Sequence, residues 1–413
     1  MRLRNLGYWA AVATCVELAL GELVGWLRFA FTSDLRGPDF FGYYGISLLL
    51  LHRGPGVVYD YAVQKQFQDQ VTAQWGGQYN LLPYLLPPWV TPIFYPLGLL
   101  PFRAAYISWG ASILLLVALA IALLLRAAGL RGRKALLGGA AAAASLPVYV
   151  LLLQGQSDAL MLAALAASSL FLTRGERVLS ETLDLAVRVD SARLTSPQRG
   201  WGAGAGGFAA LALVKPQLIL LLPALLLVRR AWRAVAAFAA VVALLVLLSL
   251  LVFGWQALLQ WVRILAPWAF SGGGGFAVDT QSQYSLRGLL QLAGLPLTAQ
   301  LAVLIACLLG LAALLWRSRA EVRIQVALAL VGSFALSPYQ HAHDLSLLVA
   351  PGLLLAGALP SLQRPRAGAW VLLGAWLGLE LLVFVPLLTA VAVVAVSGFL
   401  AWECWPSGVR RRR

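Results

Sequence analysis

The sequence predicts an all-α protein, a polytopic bundle of about twelve membrane-crossing helices with two external loops that carry amphipathic surface helices. Three observations lead there. Hydrophobic residues make up 61% of the 413-residue chain and charged residues only 11%, a balance that excludes a soluble globular domain. Segments such as 113–125 and 234–253 carry no charge at all, and about 20 such residues cross a bilayer core of roughly 30 Å. The third observation is the placement of the charges. With the spans laid out from an inside N-terminus, 23 of the 31 Lys and Arg fall in inside segments: Arg2 and Arg4, 126–134, 174–199, 229–233, 317–323, Arg364 and Arg366, and 410–413. All three His, and seven of the 16 acids including Asp34, Asp39, Asp158 and Asp344, fall outside. Short basic loops stay cytoplasmic, so the arginines set the orientation without reference to the residues that could carry chemistry.

The net charge of +15 is spread through short loops beside hydrophobic ends. That pattern is positive-inside bias with attraction to anionic lipid, and it points away from nucleic acid. Cys15, Cys307 and Cys404 all fall in hydrophobic spans and form no CxxC, so neither a disulfide framework nor a zinc site is indicated. The chain reads as one integral membrane domain over 1–413, with external loops at 31–102 and 254–286 and both termini cytoplasmic.

In chain order, the first helix runs from about residue 6 to residue 30; the apolar run has no small-x-small cleavage site and reads as a retained helix. It carries Glu17 and Glu22, each costing about 2–3 kcal/mol if it faced lipid, so both are expected to face the bundle. In the first external loop, 40–51 is apolar and aromatic and reads as a helix lying on the membrane surface. Residues 59–74 read as a polar helix. Segment 81–100 holds five prolines and reads as a broken or re-entrant element. Eleven further spans are expected at about 103–127, 134–153, 158–173, 202–214, 217–228, 231–253, 296–316, 321–336, 344–359, 367–384 and 386–403. The run Ser271-Gly272-Gly273-Gly274-Gly275 suits a loop that orders on binding.

Five polar clusters carry the candidate chemistry. Asp34 and Asp39 open the first external loop, where a carboxylate at the water–lipid boundary can deprotonate a hydroxyl or can simply cap the following helix. Gln156 and Asp158, flanked by leucines, suit sugar hydroxyls or make a capped turn. Lys215 is one of only three lysines and sits in hydrophobic sequence at a hairpin tip beside Gln217; a compact ammonium there is a natural phosphate contact or a snorkelling side chain. Gln283 and Arg287 end the second external loop, with Arg287 a second phosphate candidate or the segment simply a solvated loop before a helix start. His341, His343 and Asp344 join two spans and suit hydrogen bonds to phosphate or sugar, or a purely structural turn; His341 and His343 could chelate a metal if extended but point about 200° apart in a helix, and no resident metal or cofactor is expected.

The order and shared sidedness of these motifs resemble glycosyltransferase family 87, polyprenyl-phosphate-sugar-dependent enzymes of the GT-C fold that include mycobacterial phosphatidylinositol mannoside mannosyltransferases. The matching stretches are Asp39-Phe40 with Tyr43-Tyr44, Gly54-Pro55 with Tyr59-Asp60, Pro87-Pro88 with Pro96-Leu97, Gly155-Gln156, Lys215-Pro216-Gln217, Ser285-Leu286-Arg287-Gly288, and Ser337-Pro338-Tyr339 with Asp344-Leu345. The resemblance implies inverting, metal-independent transfer of one sugar, mannose being commonest, from a polyprenyl phosphate to a lipid-linked or glycan acceptor outside the cytoplasmic face; the Arg-rich, Lys-poor and Ala/Leu-rich usage suggests a GC-rich bacterial genome and hence a bacterial plasma membrane. By that analogy Asp39 is the general base with Asp34 its rival, and Lys215, Arg287 and His341 neutralise the departing phosphate. Gln156, Asp158, Gln217, Tyr44, Gln283, His343 and Asp344 would then contact sugar or acceptor. Ser157-Asp158 stand where the family pattern has Asn after Gly-Gln, a departure at the sugar contact. A polar-lipid flippase and a ligase using a polyprenyl diphosphate donor are the competing readings; mostly Leu, Ala and Val on the inner halves of the spans disfavour the flippase.

Overall fold

The computed structural model describes residues 2–32, 39–73, 82–188, 199–270, 283–382 and 384–405, all helical or connecting segments. Asp34, Ser271–Gly275 and 279–282 lie outside the described residues. The helices are α1 (Arg2–Thr32), α2 (Phe40–Arg53), α3 (Tyr61–Ala73), α4 (Phe102–Ala128), α5 (Gly132–Ala143), α6 (Leu146–Gln154), α7 (Asp158–Arg188) and α8 (Arg199–Leu211). They continue as α9 (Leu221–Val228), α10 (Trp232–Phe270), α11 (Leu286–Leu292), α12 (Leu297–Arg317), α13 (Val322–Leu336), α14 (Val349–Ala358), α15 (Pro365–Leu382) and α16 (Pro386–Cys404). Short 3-10 turns at Thr91–Leu99, Pro216–Ile219 and Ala342–Leu348 link them.

Among the described residues, seven helices are long and apolar enough to cross a membrane, or eight if the pair α5–α6, bent by 46°, is one span. Where about twelve were expected, several are short or broken: Gly202–Leu211, Pro216–Val228 and Val322–Leu336 are apolar helices of at most 17 residues. The interruptions at Gly155, Lys215 and Ser337 coincide with the polar motifs. A backbone that leaves helical geometry needs hydrogen-bond partners, and inside a membrane protein it finds them only where polar groups are gathered. α10, α12 and α16 expose large apolar side chains such as Leu251, Leu309 and Val391, as a lipid-facing surface requires.

α2 departs from the expected surface helix. Residues Phe40 to Ser47 and Leu49 are all buried. The sequence is apolar nearly all round, and such a helix goes inside. It packs on the Thr91–Leu99 turn, with Tyr43 stacked on Phe94 at 4.6 Å between centroids and Phe40 edge-on to Tyr106 at 5.4 Å. The five-proline segment is broken, as expected, with Pro96 inside its 3-10 turn. α10 continues past a kink at Gly254 (φ 76°) to Phe270, so the first part of the expected second loop is helical. In α1, Glu22 is half-buried while Glu17 is exposed, though both lie on the side that faces α6. Both line a groove with Leu146 and Tyr149.

Close helix crossings explain the glycine run in α8. A Cβ at Gly206 would collide with the Ala234 carbonyl of α10, so only glycine permits that approach. At the opposite end from the polar breaks, Arg323 at the start of α13 donates to the Ala128 carbonyl ending α4 and to the Gly357 carbonyl of α14 at 2.9 Å. A guanidinium placed on the terminal carbonyls of two helices satisfies orphan acceptors and complements both helix dipoles.

Candidate active site

The site forms where α6 ends, α2 and α7 begin, and the turns before α9 and α14 meet. α6 terminates at Gly155 in the left-handed region (φ 65°). A side chain there is excluded twice, by that conformation and by Phe40, whose Cβ would lie 2.8 Å from an added Cβ. The Gly155 carbonyl accepts from Trp109 Nε1 at 2.7 Å and the Leu153 carbonyl from Tyr106 Oη at 2.7 Å. The carbonyls of Leu151, Leu152, Leu153 and Gly155 are thus met, and Gln154 and Gln156 project toward α2.

Asp39 is the N-cap residue of α2, but its side chain makes no capping hydrogen bond. Its backbone N–H donates to Gln154 Oε1 at 3.0 Å, and its Oδ2 accepts from Gln156 Nε2 at 2.6 Å. The Gln156 amide is oriented from its other end, where Tyr43 Oη donates to Oε1 at 2.5 Å. Burial pushes the Tyr43 hydroxyl far above its usual range, so it remains a donor. Tyr43, Gln156 and Asp39 therefore form a directed chain that ends on one carboxylate oxygen.

Beside it lies an ion-pair cluster. Lys215 Nζ is 2.6 Å from Asp344 Oδ1, 2.9 Å from Asp158 Oδ2 and 3.2 Å from His343 Nε2. Burial alone would pull the Lys215 pKa down; the two carboxylates outweigh it and hold the ammonium well above its ordinary range. Asp344 Oδ2 accepts the His341 N–H at 2.7 Å, so the same carboxylate binds the lysine and shapes the turn before α14. His343 is buried, with Nδ1 at 3.9 Å from Asp39 Oδ2. Its ring lies 5.5 Å from that of His341, which is half-buried. Arg287, buried at the start of α11, donates to the Pro338 carbonyl at 3.1 Å and is thereby tied to the turn that carries both histidines.

The structure gathers Asp39, Gln156, Asp158, Lys215, His343 and Asp344 into one contact network. It gives some of them other roles than the sequence suggested. The side chain of Asp158 is 0% exposed and pairs with Lys215. Lys215 directs its ammonium to two carboxylates and to His343 Nε2. Tyr44 directs its hydroxyl to the Leu100 carbonyl at 2.9 Å and packs on Phe102; it belongs to the α2 packing. Gln217 hydrogen-bonds Tyr339, and Gln283 is buried against Gly288. Tyr43 and Gln154 stand in motifs the sequence offers, but sequence reasoning assigned neither a role in holding Asp39, although Tyr43 lies four residues after Asp39 and so shares its helix face.

Asp158, His343 and Asp344 bring donor atoms within 4.8 Å of one another and could in principle hold a cation. Lys215 Nζ sits among those same atoms, so a divalent ion would have to displace the ammonium. The cluster is built as an internal ion-pair network.

An exposed carboxylate held by a buried polar frame, on a helical bundle with an apolar exterior, defines a membrane-embedded site for chemistry on a polar group. A sequence model of glycosyltransferase family 87 matches residues 84–338, and the chain belongs to that family. It is a membrane glycosyltransferase. The match includes Gln156, Asp158, Lys215 and Arg287; Asp39 precedes it, and His341, His343 and Asp344 follow it. No curated protein and no solved structure matches the chain.

Proposed function

We propose that the protein transfers a single sugar, mannose foremost, with inversion from a polyprenyl phosphate to a lipid-linked or glycan acceptor at the extracytoplasmic face of a bacterial plasma membrane, with Asp39 as general base. About twelve spans with both termini inside would carry the site to that face. The carrying observation is a difference in access among three carboxylates. The Asp39 side chain is 40% exposed, while those of Asp158 and Asp344 are 0% and 3% exposed and both pair with Lys215. Oδ2 of Asp39 is anchored by Gln156, which leaves Oδ1 for a hydroxyl.

In the reaction, the acceptor hydroxyl proton passes to Asp39 as the acceptor oxygen bonds the anomeric carbon. On the opposite side the anomeric C–O bond breaks, its electron pair leaving with the polyprenyl phosphate, and Asp39 later returns its proton to water. Arg287 and His341 are the groups we assign to the phosphate, since Lys215 has its charge matched within the protein. Purified protein in nanodiscs, given a panel of short-chain polyprenyl-phosphate sugars with membrane lipid extract as acceptor, should release polyprenyl phosphate from one of them, read by mass spectrometry. Asp39→Asn should lower kcat by about 10²–10⁴-fold, the range of general base catalysis, with donor binding retained. Turnover that persists in Asp39→Asn would move the base to Asp34; no release from any donor would overturn the reading in favour of a flippase or a diphosphate-dependent ligase.

A further inference from the structure

The mechanism above uses Asp39 and leaves unexplained why a lysine, two buried carboxylates and a buried histidine are assembled behind it. An ammonium carries only donors. At 3.2 Å from His343 Nε2, Lys215 Nζ therefore needs an unprotonated acceptor there. Burial, with that ammonium beside it, outweighs the Asp344 carboxylate and holds the ring neutral, so its single proton sits on Nδ1. Nε2 also lies 3.7 Å from Asp158 Oδ2 and from Asp344 Oδ1, but the ammonium sits on both of those oxygens; Nδ1 is the atom that faces Asp39 Oδ2, 3.9 Å away. Gln156 donates to the same oxygen at 2.6 Å. Two neutral donors, one from the end of α6 and one from the turn before α14, thus converge on Oδ2, and the outward oxygen is left to the acceptor. The lysine itself cannot drift, since Asp158 and Asp344 hold it at 2.9 and 2.6 Å.

We propose that Lys215 and His343 are positioning residues: the lysine, clamped between Asp158 and Asp344, fixes His343 as the Nδ1–H tautomer, and His343 directs Asp39 Oδ2 so that Oδ1 meets the acceptor hydroxyl. The inference rests on Asp39 being the base. It gives the cluster a role in aiming a proton acceptor, and it removes Lys215 from the substrate-binding set. The gap of 3.9 Å closes to a hydrogen bond by a small shift of the Asp39 carboxylate when substrate fills the open side, since catalytic hydrogen bonds tighten in the loaded enzyme.

Two measurements on the full chain test it. The first needs no substrate. The protein has only three histidines, so ¹⁵N-histidine labelling in nanodiscs, with the His343 signals assigned by their loss in His343→Asn, reads the tautomer directly. A protonated Nδ1 and a bare Nε2 are expected, with that preference lost in Lys215→Met. A proton on Nε2, or on both nitrogens, in the wild type would overturn the proposal. The second uses whichever donor the panel identifies and keeps the lysine clamp intact. An asparagine amide reaches the place of Nδ1, and a glutamine amide the place of Nε2. His343→Gln should lower kcat by about 100-fold, the cost of misplacing a reacting group by about 1 Å, while His343→Asn recovers at least about tenfold of that loss and both leave KM for the donor within about threefold. Equal losses in the two variants, or losses confined to KM, would sink the inference. Asp39→Asn separates the layers: if it abolishes turnover while the two His343 variants behave alike, the base stands and only the positioning role falls.

Discussion

At the scale of the residue, the site is a problem in keeping charge where it is needed. Three carboxylates and one ammonium occupy a small polar island. Only Asp39 faces water, and its neighbours within the island are neutral donors. Removing Lys215 would leave Asp158 and Asp344 buried without a counter-charge, and breaking a buried pair from one side costs about 3–5 kcal/mol. Lys215→Met should therefore lower the thermal midpoint in detergent by several degrees. Lys215→Met with Asp158→Asn should recover part of the loss, because one uncompensated carboxylate is then gone. A lysine that merely snorkelled or waited for phosphate would give no such coupling, so a double-mutant cycle that shows simple additivity would contradict the clamp. The sequence made the ingredients legible, since a lone lysine among leucines and an acid after Gly-Gln are visible. It could not show that Lys215, Asp158 and Asp344 satisfy one another, because they are distant along the chain and each separately fits a substrate contact.

At the scale of the element, the site exists because helices stop. α6 ends at Gly155, α8 gives way to the Lys215 turn, and α13 ends at Ser337. Each stop frees backbone groups that must be met inside the protein, and Trp109 and Tyr106 meet those of α6. Hydropathy saw the apolar runs on both sides of these breaks and read most of the spans. It overcounted those that qualify by length because a break lowers length, and length is the criterion. It also misplaced α2, whose apolar and aromatic residues suit a membrane surface or a protein interior equally; only the partners at Phe94, Phe102 and Tyr106 decide between them. Gly155→Ala should strain the left-handed turn by about 1 kcal/mol and push on Phe40 as well. Because Gln156 follows directly, the expected signature is a fall in kcat larger than the fall in stability, measured by comparing turnover with the thermal midpoint. A matched loss of both would mean that the turn has no special hold on Gln156.

At the scale of the whole molecule, two polar networks occupy opposite ends of the bundle, and α13 measures the distance between them. Its N-terminal Arg323 binds the carbonyls that end α4 and α14, while its C-terminal end feeds the turn that carries His341, His343 and Asp344. The arginine-rich segments 126–134, 317–323 and 364–366 all lie at the Arg323 end, as the ends of α4, α12 and α14 and the starts of α5, α13 and α15 require. By the positive-inside rule that end is expected in the cytoplasm, which would turn the candidate site outward. The two ends were assigned from different residues, so their opposition can be checked without reference to activity. In a chain with Cys15, Cys307 and Cys404 replaced, single cysteines at exposed His52 or Ala293 should react with a membrane-impermeant maleimide in intact cells. Cysteines at exposed Arg131 or Arg364 should react only after the membrane is opened. The reverse pattern would turn the molecule over and place Asp39 in the cytoplasm, where a nucleotide-activated sugar would be the natural donor, and the polyprenyl-phosphate reading would fall with the orientation that supports it.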